Sequence, residues 1–535
     1  MAATFQRWLA LGTLLGGCTD GSDARGPDTE TSDAGSDATG GPGAQTSDPD
    51  AGSGPGPGPD ATGDTTDPDG DSSGEPPLDP VPGVWVEVFE RYSDRVAAGV
   101  QPNIDANWGM DAPDPAASVD RFSVRYSGRL TAPASETWTI ITETDDGVRL
   151  WIDGALVIDD WNPHYVTRNE ATVQLTAGAE VPIVLEYFEI DLDASVRLSW
   201  SSPSTPEQPV PADALSTLPV SPELPGPKPP YRNAVLPFNC PDPGAIHVPD
   251  AADPGYYMVC TGGPFSILYS PDLIFWNDTG STILGGPKPP WAANGNRNWA
   301  PEIHRIGDRF LAYFTSVNGS NVLSVGVAWA DEVTGPYTFT DGPLVQHPQG
   351  VIDASFYVVG GVPYLTYKID GNSVGQATPI FVRELAADGL SFSPGSTQTQ
   401  ILTNNPGTWE GGVVEAQWIT EHDGMLYMFY SGNVYDHRYR TGVARASSIT
   451  GPWEKHGAPI LGNSSQWVGP GHGTVLDVGD LDYFLYHAWY NAGDGTNAGG
   501  PGRVVMLDRI DWVDGWPQIH GGIPSDEWLP WPGEG

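Results

Sequence analysis

The stretch EAQWITEHDGMLYMFY, residues 415–430, holds the plan of most of the chain. A carboxylate, Glu415, opens a short strand; Asp423-Gly424 turns it; a second strand carrying Tyr427 and Tyr430 returns. An Asp-Gly pair between two strand-like runs is the strongest short-range hairpin signal. The arrangement recurs, with turns at Pro254-Gly255, Gly307-Asp308, Gly360-Gly361 and Gly479-Asp480. The returning strands carry Tyr256/Tyr257, Phe310/Tyr313, Tyr364/Tyr367 and Tyr483/Tyr486. Third strands follow, for example at 325–330 and 441–446, and closing motifs with an aromatic end several units: Asp272…Trp276, Gly335-Pro336-Tyr337, Gly451-Pro452-Trp453 and Gly515-Trp516-Pro517. A unit of about 60 residues repeated five times, each of three or four strands, predicts a five-bladed β-propeller.

The residues that open the repeats are Asp242, Glu302, Asp353, Glu415 and His472, spaced 60, 51, 62 and 57 apart. Equivalent positions on the innermost strands of a propeller converge on one axial cavity, so four carboxylates and a histidine are expected at one mouth. Unpaired buried charge is costly, so such a gathering points to function. For Glu302 a second reading stays open, a staple that ties one blade to the next.

These residues lie in the phrases PDPGAI (241–246), WAPEI (299–303), GVIDASFYVVGGVPYLTYK (350–368), VVEAQWITEHDGMLYMFYSG (413–432), GPGHG (469–473) and GRVVMLDRIDWVDGWP (502–517). Together they resemble glycoside hydrolase family 43. The resemblance implies an inverting glycosidase with Asp242 as base, Glu415 as acid and Asp353 as the aspartate that tunes the acid. It implies that His472 ligates a central cation, often calcium, and that Arg503 holds a sugar hydroxyl. Trp299 and Trp409 are candidates for stacking on a sugar, or for the core. Acetal cleavage through an oxocarbenium-like state needs a protonated leaving oxygen and an activated water on the opposite face, with the carboxyls roughly 6.5–9.5 Å apart. Asp242 must therefore stay ionised while Glu415 keeps a proton, and a nearby anion such as Asp353 raises the acid's pKa by like-charge repulsion.

Upstream, period-two alternation puts Val148, Leu150 and Ile152 on one strand face, as it does Val181, Ile183, Leu185 and Tyr187, and Val196, Leu198 and Trp200. With turns at Asp146-Gly147 and Asp153-Gly154, this predicts an antiparallel sandwich. The phrases FSVRYSGRLTAP (122–133), TDDGVRLWIDGALVIDDW (144–161) and VPIVLEYFE (181–189) resemble the PA-14 domain. In sugar-binding members an adjacent aspartate pair holds calcium, and Asp145-Asp146 falls on that motif. Hard oxygen ligands suit calcium, but two carboxylates are fewer than the six to eight oxygens it takes. A structural turn is the other reading.

The whole chain is then all-β. The expected segments are a signal peptide at 1–17, an acidic linker at 18–80, the sandwich at 81–218, a proline-rich linker at 219–232 and the propeller at 233–535. Arg7, the apolar run at 8–15 and Leu15-Gly16-Gly17-Cys18 resemble a bacterial lipoprotein signal, which implies acylation of Cys18 and tethering, at the outer membrane or another cell surface. An ordinary secretory peptide is the alternative. Residues 19–80 carry 13 Asp and 2 Glu against Arg25 and nothing that can build a core, so they are expected to form a disordered stalk; an acidic calcium-binding tract is the rival. The 535 residues hold 67 Gly, 53 Pro, 20 Trp and 20 Tyr, which suits many turns and aromatic strands. With 24 Lys and Arg against 68 Asp and Glu, a net charge of −44 argues against nucleic acid, or an acidic membrane surface, as the main partner. Membrane contact is expected through the lipid alone. Three cysteines rule out a disulfide scaffold; Cys240 and Cys260 flank the first propeller hairpin, nearly opposite about a turn near residue 251, as a disulfide or as two buried thiols.

The expected activity is removal of α-L-arabinofuranosyl or β-D-xylosyl units from arabinan, arabinoxylan or xylan. Endo-arabinanase, exo-β-1,3-galactanase and a non-catalytic carbohydrate-binding or adhesion protein are the alternatives. A fructan-cleaving propeller lacks its usual Asn-Asp-Pro-Asn, Arg-Asp-Pro and Glu-Cys signatures here.

Overall fold

The computed structural model describes residues 79–217, 226–286, 288–292 and 297–534. The signal segment, Cys18, nearly all of the acidic linker and part of the proline-rich linker lie outside the described residues.

The sandwich packs two antiparallel sheets. One runs Asp94–Gln101, Val84–Glu90, Phe122–Thr131, Glu180–Glu189, Val148–Ile152, Ala155–Asp160, with Leu215–Thr217 added on Phe122–Thr131. The other runs Thr205–Pro209, Ala194–Ser202, Glu136–Asp145, Thr167–Leu175, with Asp105–Gly109 on Ala194–Ser202. The alternation read from sequence is the alternation of burial: Val148, Leu150, Ile183, Leu185, Val196, Leu198 and Trp200 face the core. Trp138 and Trp200 meet across it with centroids 4.4 Å apart, and burying such rings supplies much of a small sandwich's stability.

Five further antiparallel sheets follow as blades. Their inner two strands are Gly244–Val248/Gly255–Val259, Trp299–Ile306/Arg309–Val317, Val351–Val359/Val362–Ile369, Val414–His422/Met425–Gly432 and Trp467–Val478/Leu481–Tyr490. The ring closes through the segment before blade one. Leu236 and Val505 exchange backbone bonds, the Cys240 amide donates to Arg503 O at 2.8 Å, and Thr474 Oγ1 donates to Pro243 O at 3.0 Å. A disulfide joins Cys240 to Cys260, Cα atoms 5.2 Å apart, pinning the closing segment to blade one.

The two units share an apolar seam. Tyr92, Trp161 and Phe188 of the sandwich belong to one buried cluster with Tyr231, Leu273 and Trp531. Tyr92 packs edge-on against Trp531 at 5.6 Å, Arg121 lies over Phe275 at 4.3 Å, and Trp161 Nε1 donates to Lys228 O at 2.9 Å. Gly226 is needed here, because a Cβ would stand 2.3 Å from Tyr92 O.

Candidate active site

In blades two to five the inner strand is broken at or beside the residue that the repeats single out. The registers shift between Trp299 and Glu302, Ile352 and Ser355, Glu415 and Trp418, and Gly471 and Thr474. At or beside these points the backbone turns left-handed, with φ of 41° at Ala300, 54° at Asp353, 60° at Ala416 and 46° at His472; Asp242, just before blade one, has φ 55°. Left-handed non-glycine residues cost on the order of 1–3 kcal/mol each and collect at functional sites, where a bulge re-aims a side chain. Here the bulges interrupt the alternation on four of the five inner strands, while blade one pairs in unbroken register.

Asp242 is the most heavily compensated group. Its Oδ1 lies 2.8 Å from Arg503 Nη1 and 3.1 Å from His472 Nδ1, and its Oδ2 accepts from Thr261 Oγ1 at 2.7 Å. Thr261 Oγ1 accepts in turn from the Ala300 amide at 2.7 Å, so blade two steadies Asp242. Burial opposes ionisation of Asp242, but Arg503 and His472 outweigh it and hold the carboxyl well below the usual range. His487 Nδ1 lies 3.2 Å from the Asp242 amide and 3.3 Å from Asp242 Oδ1, and burial pushes that imidazole down to about 4, so it stays neutral.

Asp353 sits in the opposite setting. Burial first, and the neighbouring Glu415 charge next among the raising causes, push it up to about 7 despite His472 and Lys368; its Oδ2 accepts from the Ala416 amide at 3.0 Å. That bond grips the strand Val414–His422 one residue from Glu415. Gln417 Nε2 donates to Asp353 O, a second tie between the two inner strands. Glu415 itself is bound at both oxygens: Lys368 Nζ lies 2.7 Å from Oε2, and the Tyr439 hydroxyl donates to Oε1 at 2.8 Å.

The remaining sequence candidates divide. Arg503 meets Asp242 through Nη1, keeps a buried Nε without a partner, and lies 5.0 Å under the ring of Tyr435, which is 56% exposed at the rim. Glu302 pairs with His304 Nε2 at 2.7 Å on its own strand, and His304 stacks on Trp418. Trp299 packs half-buried on Val317, Leu323 and Ile352, and Trp409 lies on Tyr430 in a slot that side chains at Gly432 and Gly442 would fill. His472 meets Asp242 through Nδ1. Burial alone would disfavour the imidazolium, but Asp242 raises it to about 9. Among the described residues no three His, Cys, Asp or Glu side chains gather as a metal-ligating set.

Sequence reasoning missed Lys368, Tyr439, Thr261, His487 and Tyr435. Lys368 alone left a trace, a lysine in the otherwise uncharged strand Val362–Ile369, two residues before Asp370.

In the sandwich, Asp146 accepts from the His164 amide at 2.8 Å and the Ile190 amide at 3.0 Å. Burial pushes Asp145 up to about 6, Asp146 to about 7 and Glu189 to about 10. Glu189 is fully buried with Oε1 unpartnered, and the Tyr187 hydroxyl contacts both Glu189 Oε2 and Asp145 O.

Comparison with known proteins agrees with this geometry. Residues 80–214 match the PA14 domain, and residues 231–517 match glycosyl hydrolases family 43. Over 116 residues the chain is 40% identical to the anti-sigma-I factor RsgI3 of Acetivibrio thermocellus, covering 22% of this chain and 18% of that protein. Over 271 residues it is 26% identical to an extracellular exo-α-(1→5)-L-arabinofuranosidase of Streptomyces avermitilis, covering 48% and 54%. The chain thus spans about half, or less, of the length of these two relatives. A crystal structure of a thermostable family-43 glycoside hydrolase superposes with a TM-score of 0.50 at 25% identity, covering 56% of this chain and 99% of that one. With its propeller matched almost end to end by the family model, this chain belongs to glycosyl hydrolases family 43.

Proposed function

We propose that the propeller is an inverting glycosidase that removes α-L-arabinofuranosyl or β-D-xylosyl units from plant polysaccharide, with arabinofuranosyl the first choice. The observation that carries the reading is the separation of environments. Asp242 is held ionised by Arg503 and His472, whereas Asp353 is pushed up to about 7 behind the strand that bears Glu415. The ionised Asp242 suits a base, and Glu415, on the strand that Asp353 grips through the Ala416 amide, suits the acid. Asp242 takes a proton from water as that water attacks the anomeric carbon; Glu415 gives a proton to the departing oxygen; Asp353 favours the protonated acid by like-charge repulsion. The family name of the exo-acting relative supports arabinofuranosyl units.

Hydrolysis of aryl α-L-arabinofuranosides and β-D-xylosides tests the reading, with proton NMR of the first-formed sugar read before mutarotation. Inverted product is expected. Product with the substrate's own configuration would remove Asp242 from the base role.

The sandwich would hold polymer. Asp145 and Asp146 would supply hard oxygens for a calcium ion, with the unpartnered Oε1 of Glu189 buried nearby. With two carboxylates, further ligands would be backbone oxygens, water and sugar hydroxyls. Tyr165, 67% exposed beside His164, offers an aromatic face to a bound sugar. Export with acylation at Cys18 would place both units outside the cell near insoluble substrate, and the relative named extracellular supports export.

A further inference from the structure

Lys368 is fully buried, and both charges it touches are carboxylates: Glu415 Oε2 at 2.7 Å and Asp370 Oδ1 at 3.1 Å. Tyr439 occupies the other oxygen of Glu415. A general acid that must hold a proton is thus pressed against an ammonium, the reverse of what the Asp353 repulsion alone would arrange.

Resting on the glycosidase reading above, we propose that Lys368 and Asp370 form a positioning pair that reserves Oε2 of Glu415, leaves Oε1 to carry the catalytic proton, and sets the pH at which that proton is lost. As the glycosidic C–O bond breaks, the proton passes from Oε1 to the leaving oxygen and Glu415 becomes a carboxylate. That charge develops 2.7 Å from an ammonium already in place, so the acid is strengthened when it acts. Asp370 tempers the effect by sharing the ammonium. Burial opposes the charge on Lys368, but Glu415, Asp370 and Asp353 outweigh it and hold its pKa above the ordinary lysine value. The other groups that act on Glu415 are Asp353 from blade three, the Tyr439 phenol from blade four, His472 from blade five and, through the same cluster, Asp242.

The test is kcat/KM against pH for the full chain on 4-nitrophenyl and 2,4-dinitrophenyl arabinofuranosides. With Lys368→Met the alkaline limb should move up by about one unit, since an opposite charge at this range shifts a carboxyl by roughly 1–3 units. The rate loss should be greater for the poorer leaving group. Asp370→Asn should move the limb down, and Lys368→Arg should restore it. Limbs that stay put, or that move the same way in Lys368→Met and Asp370→Asn, would overturn the proposal. If Lys368→Met fails to fold, Asp370→Asn decides alone, and anything but a downward move sinks it. A wild type inactive on every aryl glycoside would instead fail the glycosidase reading on which this one stands.

Discussion

Asp146 of the sandwich and Asp242 of the propeller are buried to nearly the same degree, 6% and 9% exposed, yet they are pulled in opposite directions. Burial pushes Asp146 up to about 7, and the amides of Ile190 and His164 only partly offset it. Asp242 meets Arg503 and His472 and is held far below the ordinary range. Partial dipoles satisfy a carboxylate's geometry without cancelling its charge, whereas full cations do both. The propeller brings cations to its buried carboxylate, whereas in the sandwich burial alone sets the direction.

The largest effects should come from removing compensated groups. Asp242→Asn should lower kcat on every substrate by about 10²–10⁴-fold, because water activation is needed whatever departs. Glu415→Gln should lose as much on natural linkages but much less on dinitrophenyl glycosides, whose leaving groups need no proton. Equal losses across leaving groups in Glu415→Gln would take it out of the acid role.

Chelation probes the contrast itself. EDTA should leave aryl-glycoside hydrolysis unchanged while weakening binding to insoluble arabinan, and added calcium should raise the melting temperature only while Asp145 and Asp146 are intact. Loss of aryl hydrolysis in EDTA would break the comparison by showing that the propeller also needs a metal. Point variants such as Asp146→Asn are cleaner here than truncation, which would bare Trp531 and Phe275 at the seam.

Smaller shifts sharpen the propeller side. Asp353→Asn should move the alkaline limb of kcat/KM to lower pH, since the like charge that favours protonated Glu415 disappears. His472, raised from 6.5 to about 9, contributes stability that is fully present below about 6.5 and fades as pH rises through about 9. Urea unfolding across that window should show a decline in the wild type and a flatter profile in His472→Asn. Smallest for activity is the disulfide. Cys240→Ser with Cys260→Ser opens a loop of sequence separation 20, costing about 3 kcal/mol of stability with little change in kcat.

The sequence by itself determined the strand alternation, the five repeats and the convergence of Asp242, Asp353 and Glu415, because each repeat writes its pattern within a few dozen residues. Period-two burial and Gly-containing turns are local, so they survive reading one strand at a time. Only the tertiary structure decided which charges meet. Arg503 reaches Asp242 across 261 residues and Lys368 reaches Glu415 across 47, from strands whose own pattern records a neighbour's side chain nowhere. The left-handed backbone at Asp242, Asp353 and His472 was equally hidden, because those residue types do not demand it as glycine would. Turn chemistry and hydrophobic period are properties of adjacent residues, whereas electrostatic compensation belongs to groups that are adjacent only once the blades have closed into a ring.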